Sequence, residues 1–325
     1  MILALAGGVG AARMLRGLIT VAGDEAIIAV VNTADDTVLH GLHISPDLDT
    51  VTYTLAGAIN PQTGWGLAGE TWQALTELRA YDRGRLAWFG LGDRDLGTHL
   101  YRTARLSEGA SLSEVTAEIA ARWNLPIRVL PMSDQPVATR VVLAATGDEI
   151  GFQEYFVGHH HDVAVSGIRL AGVDHAAPGP HVLPSIDSAD RIVICPSNPV
   201  LSIGPVLATP GIGQAVAARR HDVVAVSPLI AGRALKGPAD RIMAELGHEA
   251  TVAGVARMWA PYASVLVVDA ADAALADAVE AEGMTCVVTP TIMTGPAEAA
   301  ALARAVLGAR SLRTATPPAD SARWR

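Results

Sequence analysis

Continuous apolar runs that alternate with helical stretches constrain this chain more than any other feature. MILALA (residues 1–6) and AIIAVVN (26–32) flank a helical pattern over roughly 11–22. RIVICP (191–196), DVVAVSP (222–228), SVLVVD (264–269) and MTCVVTP (284–290) follow, separated by helical stretches such as ADAALADAVEAEG and GPAEAAALARAVLGA. Strands without polar alternation are buried on both faces, as in a parallel sheet covered by helices. The expected fold class is therefore α/β, a Rossmann-like, mostly parallel sheet with helices on both faces.

The middle of the chain breaks this pattern. Residues 47 to about 125 read as mostly helical. Residues 127 to about 173 read as alternating strands, for example VATRVVLAA and FQEYFVG. An inserted α+β segment, about 47–185, is expected over the C-terminal edge of the sheet, where ligands bind in open α/β folds. Residues 1–308 are expected to form a single domain, and 309–325, which lack periodicity, a disordered tail.

The net charge of −9 argues against a nucleic-acid partner, which needs a basic surface. It leaves room for a small anionic ligand in a local positive pocket. Cys195 and Cys286 are too few for a disulfide framework or a zinc site, and both sit in apolar runs that predict buried thiols. No apolar stretch is long enough for a membrane span, and the N-terminal run is too short for a signal peptide, so the expected location is cytoplasmic.

The first strand runs into Gly7, Gly8 and Gly10, with Arg13 just beyond. Glycines between a strand and a helix let a phosphate approach backbone N–H groups at the helix start. Arg13 would add a charged fork. A tight turn without a ligand is the alternative. A P-loop is excluded because Ala11 and Ala12 stand where Lys and Ser/Thr are needed. The dinucleotide fingerprint fails too, with Arg13 at its third small position and Asn32 where an acid should end the second strand.

Asp35, Asp36, Asp47 and Asp49 follow in NTADDTVLHGLHISPDLDTVTY (32–53). Clustered carboxylates repel unless a proton or a cation intervenes, and magnesium held by one or two of them plus substrate phosphates is the usual solution. Alternatively, Asp47 or Asp49 caps the following helix, and Asp35 and Asp36 shape a turn. In WFGLGDRDLGTHLYRT (88–103), Asp93, Arg94 and Asp95 either bind a polar ligand or cap a helix, while His99 and Arg102 read as a solvated face. In VLPMSDQPVATRV (129–141), Ser133 and Asp134 lie in a stiff turn that either faces a site or simply joins two strands. Ser197 and Asn198 end a buried strand, as do Ser227, Arg233 and Lys236 further on, and both loops are candidate nucleotide contacts. Three adjacent histidines at 159–161 cannot share a face, so HHHD reads as a surface loop.

AGGVGAAR, NTADD, HGLHISPDLDTVTYTLAG, GLGDRDLGTHL, LPMSDQPV, PSNPVLSIGP and VSPLI…GPAD, in this order, resemble the 2-phospho-L-lactate transferase (CofD-like) family, whose actinobacterial members are phosphoenolpyruvyl transferases. The resemblance covers about residues 1–308. It implies transfer of a phospho-acid (phospholactyl, phosphoenolpyruvyl or phosphoglyceryl) from a guanosine diphosphate-linked donor to the ribityl hydroxyl of the deazaflavin Fo. GMP would be released and a precursor of coenzyme F-420 formed. It also implies magnesium and, often, a homodimer. Under it, Asp47 and Asp49 would be catalytic and hold the metal. Asp49, Asp93, Arg94, Ser133 and Asp134 would contact Fo. Gly7, Gly8, Gly10, Arg13, Asn32, Asp36, Ser197 and Asn198 would face the nucleotide and its phosphates. The alternative is a nucleotide-sugar-binding regulator like the distant gluconeogenesis-factor relatives, which share the glycine loop and an acidic segment.

Overall fold

A computed structural model describes residues 1–82 and 87–311. Most of the stretch expected as a tail therefore lies outside the described residues. Seven parallel strands form the central sheet: β1 (Ile2–Ala6), β2 (Ile27–Val31), β3 (Arg128–Pro131), β4 (Arg191–Ile194), β5 (Val223–Val226), β6 (Val265–Val268) and β7 (Thr285–Val288). Their spatial order is β7-β6-β5-β4-β1-β2-β3. Ile2 pairs with Ile27 on one side and with Arg191 on the other.

Strand side chains alternate between the two faces, so each face builds its own core. Ile2, Ala4 and Ala6 join Ile27, Ala29 and Val31 beneath helix α1 (Gly8–Val21). Leu3 and Leu5 join Ile28 and Val30 on the opposite face, with Val182, Ile186 and Trp259. Helix α1 buries Ala11, Met14, Leu15 and Leu18, the i, i+3, i+4, i+7 stripe of a helix lying on a sheet. It starts at Gly8, three residues before the expected start. The glycine segment thus leads into the first helical turn, and Gly8 enters it with a left-handed φ of +70° that favours glycine.

Helix α1 also packs on the C-terminal helix Pro296–Gly308. Gly17 makes the contact, and a Cβ at that position would lie 2.2 Å from the carbonyl oxygen of Ala299.

Three features describe the inserted material. First, β3 lies within it yet belongs to the central sheet, because its short apolar run pairs with β2. Second, Ala138–Leu143, Glu149–Gly151 and Val165–Ala171 form a separate antiparallel sheet. Third, FQEYFVG is not a strand. Glu154–Gly158 is a single wide helical turn, consistent with the i, i+3, i+4 spacing of Phe152, Tyr155 and Phe156. Helices α2 (Pro46–Leu55) and α3 (Asp93–Ser107) belong to the insertion, with the helices Gln73–Asp82 and Leu112–Arg122, and the hairpin of Thr37–Leu39 and Leu42–Ile44 leads into it. Cys195 is a buried free thiol as expected, whereas Cys286 is only half-buried. Among the described residues no single helix is long and apolar enough to cross a membrane.

Replacing glycine by alanine inside a helix ordinarily stabilises by about 1 kcal/mol. Gly17→Ala is expected to do the opposite and cost at least roughly 2 kcal/mol through overpacking. Denaturant unfolding measures it, and a variant as stable as the parent would disprove the close approach of the two helices.

Candidate active site

The sheet reverses its strand order between β1 and β4, the position where open α/β folds place ligands. The loops after these two strands meet each other directly. Ser197 Oγ donates to the Gly7 carbonyl at 2.8 Å. A Cβ on Gly10 would sit 2.1 Å from the Pro196 carbonyl oxygen, so this glycine admits a neighbouring backbone. Asn198 accepts from the N–H groups of Val200 and Leu201 and so caps its own turn. Arg13 donates to the Met293 carbonyl at 3.0 Å, which occupies part of its fork.

Four carboxylates gather beside this junction. Helix α2 begins at Pro46, and its first turn carries Asp47 and Asp49. Neither side chain caps that helix. Asp47 reaches back to the glycine segment, where it accepts from the Gly8 N–H and from Asn32 Nδ2 at 3.0 Å. Asn32 Oδ1 in turn accepts from the Ala34 N–H, which fixes the turn holding Asp35 and Asp36. Asp35 accepts from Thr139 Oγ1 at 3.2 Å, and its carbonyl accepts from Gln153 Nε2. Asp36 accepts from Ser45 Oγ at 2.6 Å through Oδ2, while its buried Oδ1 has no partner.

Asp49 turns the other way. Both its oxygens are held by the guanidinium of Arg102, through Nη1 at 3.1 Å and through Nη2. Arg102 Nη1 also lies 3.2 Å from His99 Nδ1 and 3.3 Å from the His43 carbonyl. His99 Nε2 faces Asp95 at 3.4 Å, and Asp95 accepts from Tyr53 at 2.6 Å. His99 and Arg102, expected on a solvated face, are 1% and 2% exposed. Helix α3 turns a polar face inward, so apolar periodicity gave no sign of it.

A cavity of about 820 Å³ opens at the C-terminal ends of β2 and β3. That size suits a small-molecule ligand. Asp35, Asp36, Arg102, Asp134, Trp88 and Phe152 are among its lining residues. Of the residues expected to contact an acceptor, only Asp134 lines it. Ser133 is fully buried against Gln135. Asp93 accepts from Thr71 and from the N–H groups of Gln73 and Ala74, so it caps the helix Gln73–Asp82. Arg94 donates to the Ala68 carbonyl. Asp93 therefore caps a different helix from the one it opens, and Arg94 caps none; Asp93, Arg94 and Asp95 do not form a capping set for α3. Gly7, Gly8, Gly10, Arg13, Asn32, Asp47, Asp49, Ser197 and Asn198 do not line the cavity. Trp88, Thr139 and Gln153, which the motifs did not single out, also line the cavity, as does Arg102, expected on a solvated face.

Burial raises the carboxyl pKa of Asp35 and of Asp36 well above the usual range, and repulsion from Asp47 adds to it for Asp35. Burial also pushes Asp47 up to about 6, against the opposing bonds from Asn32 and Gly8. Three carboxyls thus lack sufficient positive charge. Among the described residues no three Asp, Glu, His or Cys side chains converge to hold a metal by themselves. A magnesium ion needs fewer, since it usually takes one or two carboxylates and completes its shell with water and substrate phosphates.

A carboxyl with a higher pKa folded than unfolded binds a proton on folding, so it costs stability as the pH rises through that interval. For Asp47 the interval runs from 3.8 to about 6, at roughly 1.4 kcal/mol per pKa unit. In chelator, Asp47→Asn is expected to be more stable than the parent at about pH 7.5, with the advantage vanishing towards about pH 4. Unfolding curves across that range measure the difference, and one that is constant with pH would refute the uncompensated charge.

Residues 2–300 match the family model described as 2-phospho-L-lactate transferase CofD. A Kitasatospora aureofaciens protein named phosphoenolpyruvate transferase is 47% identical over 94% of this chain and 96% of its own length. One of the same name from Mycolicibacterium smegmatis is 40% identical over 93% of this chain and 96% of its own. Crystal structures of a Bacillus halodurans protein, one titled a member of the upf0052 family, superpose with TM-scores of 0.61 and 0.59. At 18% identity, over 94% of this chain and 98% of theirs, they share the fold.

Proposed function

Since this chain belongs to the 2-phospho-L-lactate transferase CofD family, we propose that it transfers a phosphoenolpyruvyl group from a guanosine diphosphate-linked donor to the ribityl hydroxyl of Fo, releasing GMP on the way to coenzyme F-420. The phosphoenolpyruvate transferase names of its relatives favour that donor over the phospholactyl and phosphoglyceryl alternatives. One observation carries the reading: a cavity of about 820 Å³ whose wall combines two charge-deficient carboxyls with a buried guanidinium.

The chemistry needs the acceptor hydroxyl to attack the phosphorus that bears the acid group while the bond to GMP breaks. Such transfers depend on positioning and on neutralising phosphoryl charge, with little covalent chemistry from the protein. Trp88 and Phe152 on the cavity wall suit a flat heteroaromatic acceptor. Asp36, which lines the cavity, would orient the attacking hydroxyl. The donor phosphates would lie towards Asn32 and the first turn of α1.

The unpartnered Asp36 oxygen and the raised pKa of Asp35 and Asp47 fit a bound divalent cation. Asp47 and Asp35, which share the Asn32 amide, would hold magnesium together with donor phosphates; Asp49, already neutralised by Arg102, fits that role less well than Asp47 does. When bound, the ion would withdraw charge from the phosphoryl oxygens.

The test is one reaction. The protein is mixed with Fo, magnesium and each guanylylated phospho-acid in turn, and GMP release and mass gain on the deazaflavin are followed. Transfer from guanylylated phosphoenolpyruvate is expected. Asp47→Asn should keep its fold and lose about 100-fold or more in kcat, as expected for a group that organises transition-state charge. No transfer with any donor would overturn the reading and favour a binding protein.

A further inference from the structure

Resting on that reading of the cavity, we propose that Arg102 is the donor's anion contact at the cavity wall, and that Asp49 is the positioning residue that aims it. The family resemblance implies Asp49 as a contact of Fo; in the structure Asp49 also holds Arg102. Arg102 lines the cavity, whereas Asp49 does not. Both Asp49 oxygens are committed to the guanidinium.

The pair sits inside a closed polar ring between two helices. Asp49 and Tyr53 are one turn apart on α2, and Asp95, His99 and Arg102 follow one another along α3. Tyr53 bonds Asp95, Asp95 faces His99, His99 faces Arg102, and Arg102 returns to Asp49. A bidentate grip fixes the plane of the guanidinium as well as its place. A buried ion pair is a poor way to hold two helices together, since apolar residues of similar size do as well. The arrangement is better explained by what it presents.

Arginine carries five N–H donors. Asp49 and the His43 carbonyl leave some of them unused, and the buried Nε–H has no partner. A buried unpaired donor is costly unless a ligand engages the group. Asp36, which also lines the cavity, feels the same charge. Among the described residues Arg102 is the one buried guanidinium at this cluster; Arg220, the other buried arginine, bonds the Ala260 and Gly283 carbonyls elsewhere. A donor diphosphate with an acid group brings more negative charge to carboxyls that already lack compensation. Arg102, held in place by Asp49, meets it with the N–H donors that Asp49 leaves unused.

Binding is measured by calorimetry without Fo, so the result does not depend on turnover. Guanylylated phosphoenolpyruvate and GDP are titrated into the full-length protein, Arg102→Gln, Arg102→Lys and Asp49→Asn. Arg102→Gln is expected to weaken the donor about 10- to 100-fold, as for a charged hydrogen bond lost to an anion. Arg102→Lys should recover part of that, and Asp49→Asn should lose less. Equal weakening of GDP would assign the contact to a phosphate, and unchanged GDP binding would assign it to the acid group. In the double variant Arg102→Gln/Asp49→Asn, which leaves no unpaired buried carboxylate if the single variant unfolds, the loss should match that of Arg102→Gln alone. Donor affinity within twofold of the parent in either folded variant, or strictly additive losses, would overturn the proposal. Donor binding by a parent protein that transfers nothing to Fo would sink the functional reading and leave the Arg102 contact to be judged on these affinities. A parent protein that does not bind the donor would sink both.

Discussion

Negative charge without enough positive charge governs this end of the molecule. Asp35, Asp36 and Asp47 are gathered by the turn after β2 and the first turn of α2, and burial denies them the solvation that water would give. Asp49 escapes the problem only because Arg102 grips it. Every local device nearby serves this cluster. Asn32 spaces Asp47 from Asp35, Ser45 holds one oxygen of Asp36, and Thr139 ties Asp35 to the second sheet. A site of this kind is less stable empty than it would be with apolar residues, and such local cost is common where ligands bind.

The parallel sheet makes the cluster possible. Strands fed in by crossovers all end at the same edge, so their loops converge although they are far apart in sequence. The glycine segment after β1 and the Ser197 loop after β4 touch there, 190 residues apart. Their contact lets α1 start close to β4, with Gly10 yielding its side-chain space to the Pro196 carbonyl. The cavity is displaced one strand away, towards β2 and β3, and the inserted hairpin and α3 wall it. The fold supplies the edge and the insertion supplies the walls.

Several features were legible before any coordinates. The unbroken apolar runs predict buried parallel strands, and all six of those named are strands of the central sheet. The acidic segment predicts a charge problem, and the ordered blocks point to the family. Other features were not legible, for stated reasons. Asp93 and Asp95 both open α3, yet Asp93 caps a preceding helix and Asp95 holds Tyr53 and His99. Both uses suit a carboxylate at a helix start, so residue type cannot separate them. Arg102 read as solvated because a charged residue on a polar face normally is.

The sequence by itself determined the secondary-structure class, the buried strands and the presence of four nearby carboxylates, because these follow from local periodicity and spacing. The tertiary structure alone decided which carboxylate meets which partner. Asp47 and Asp49 are two residues apart on one helix, and 3.6 residues per turn point them to different neighbours. One faces the glycine segment and the other faces Arg102, 53 residues further along the chain. Partners at that separation are brought together by packing, and packing is what local pattern leaves unspecified.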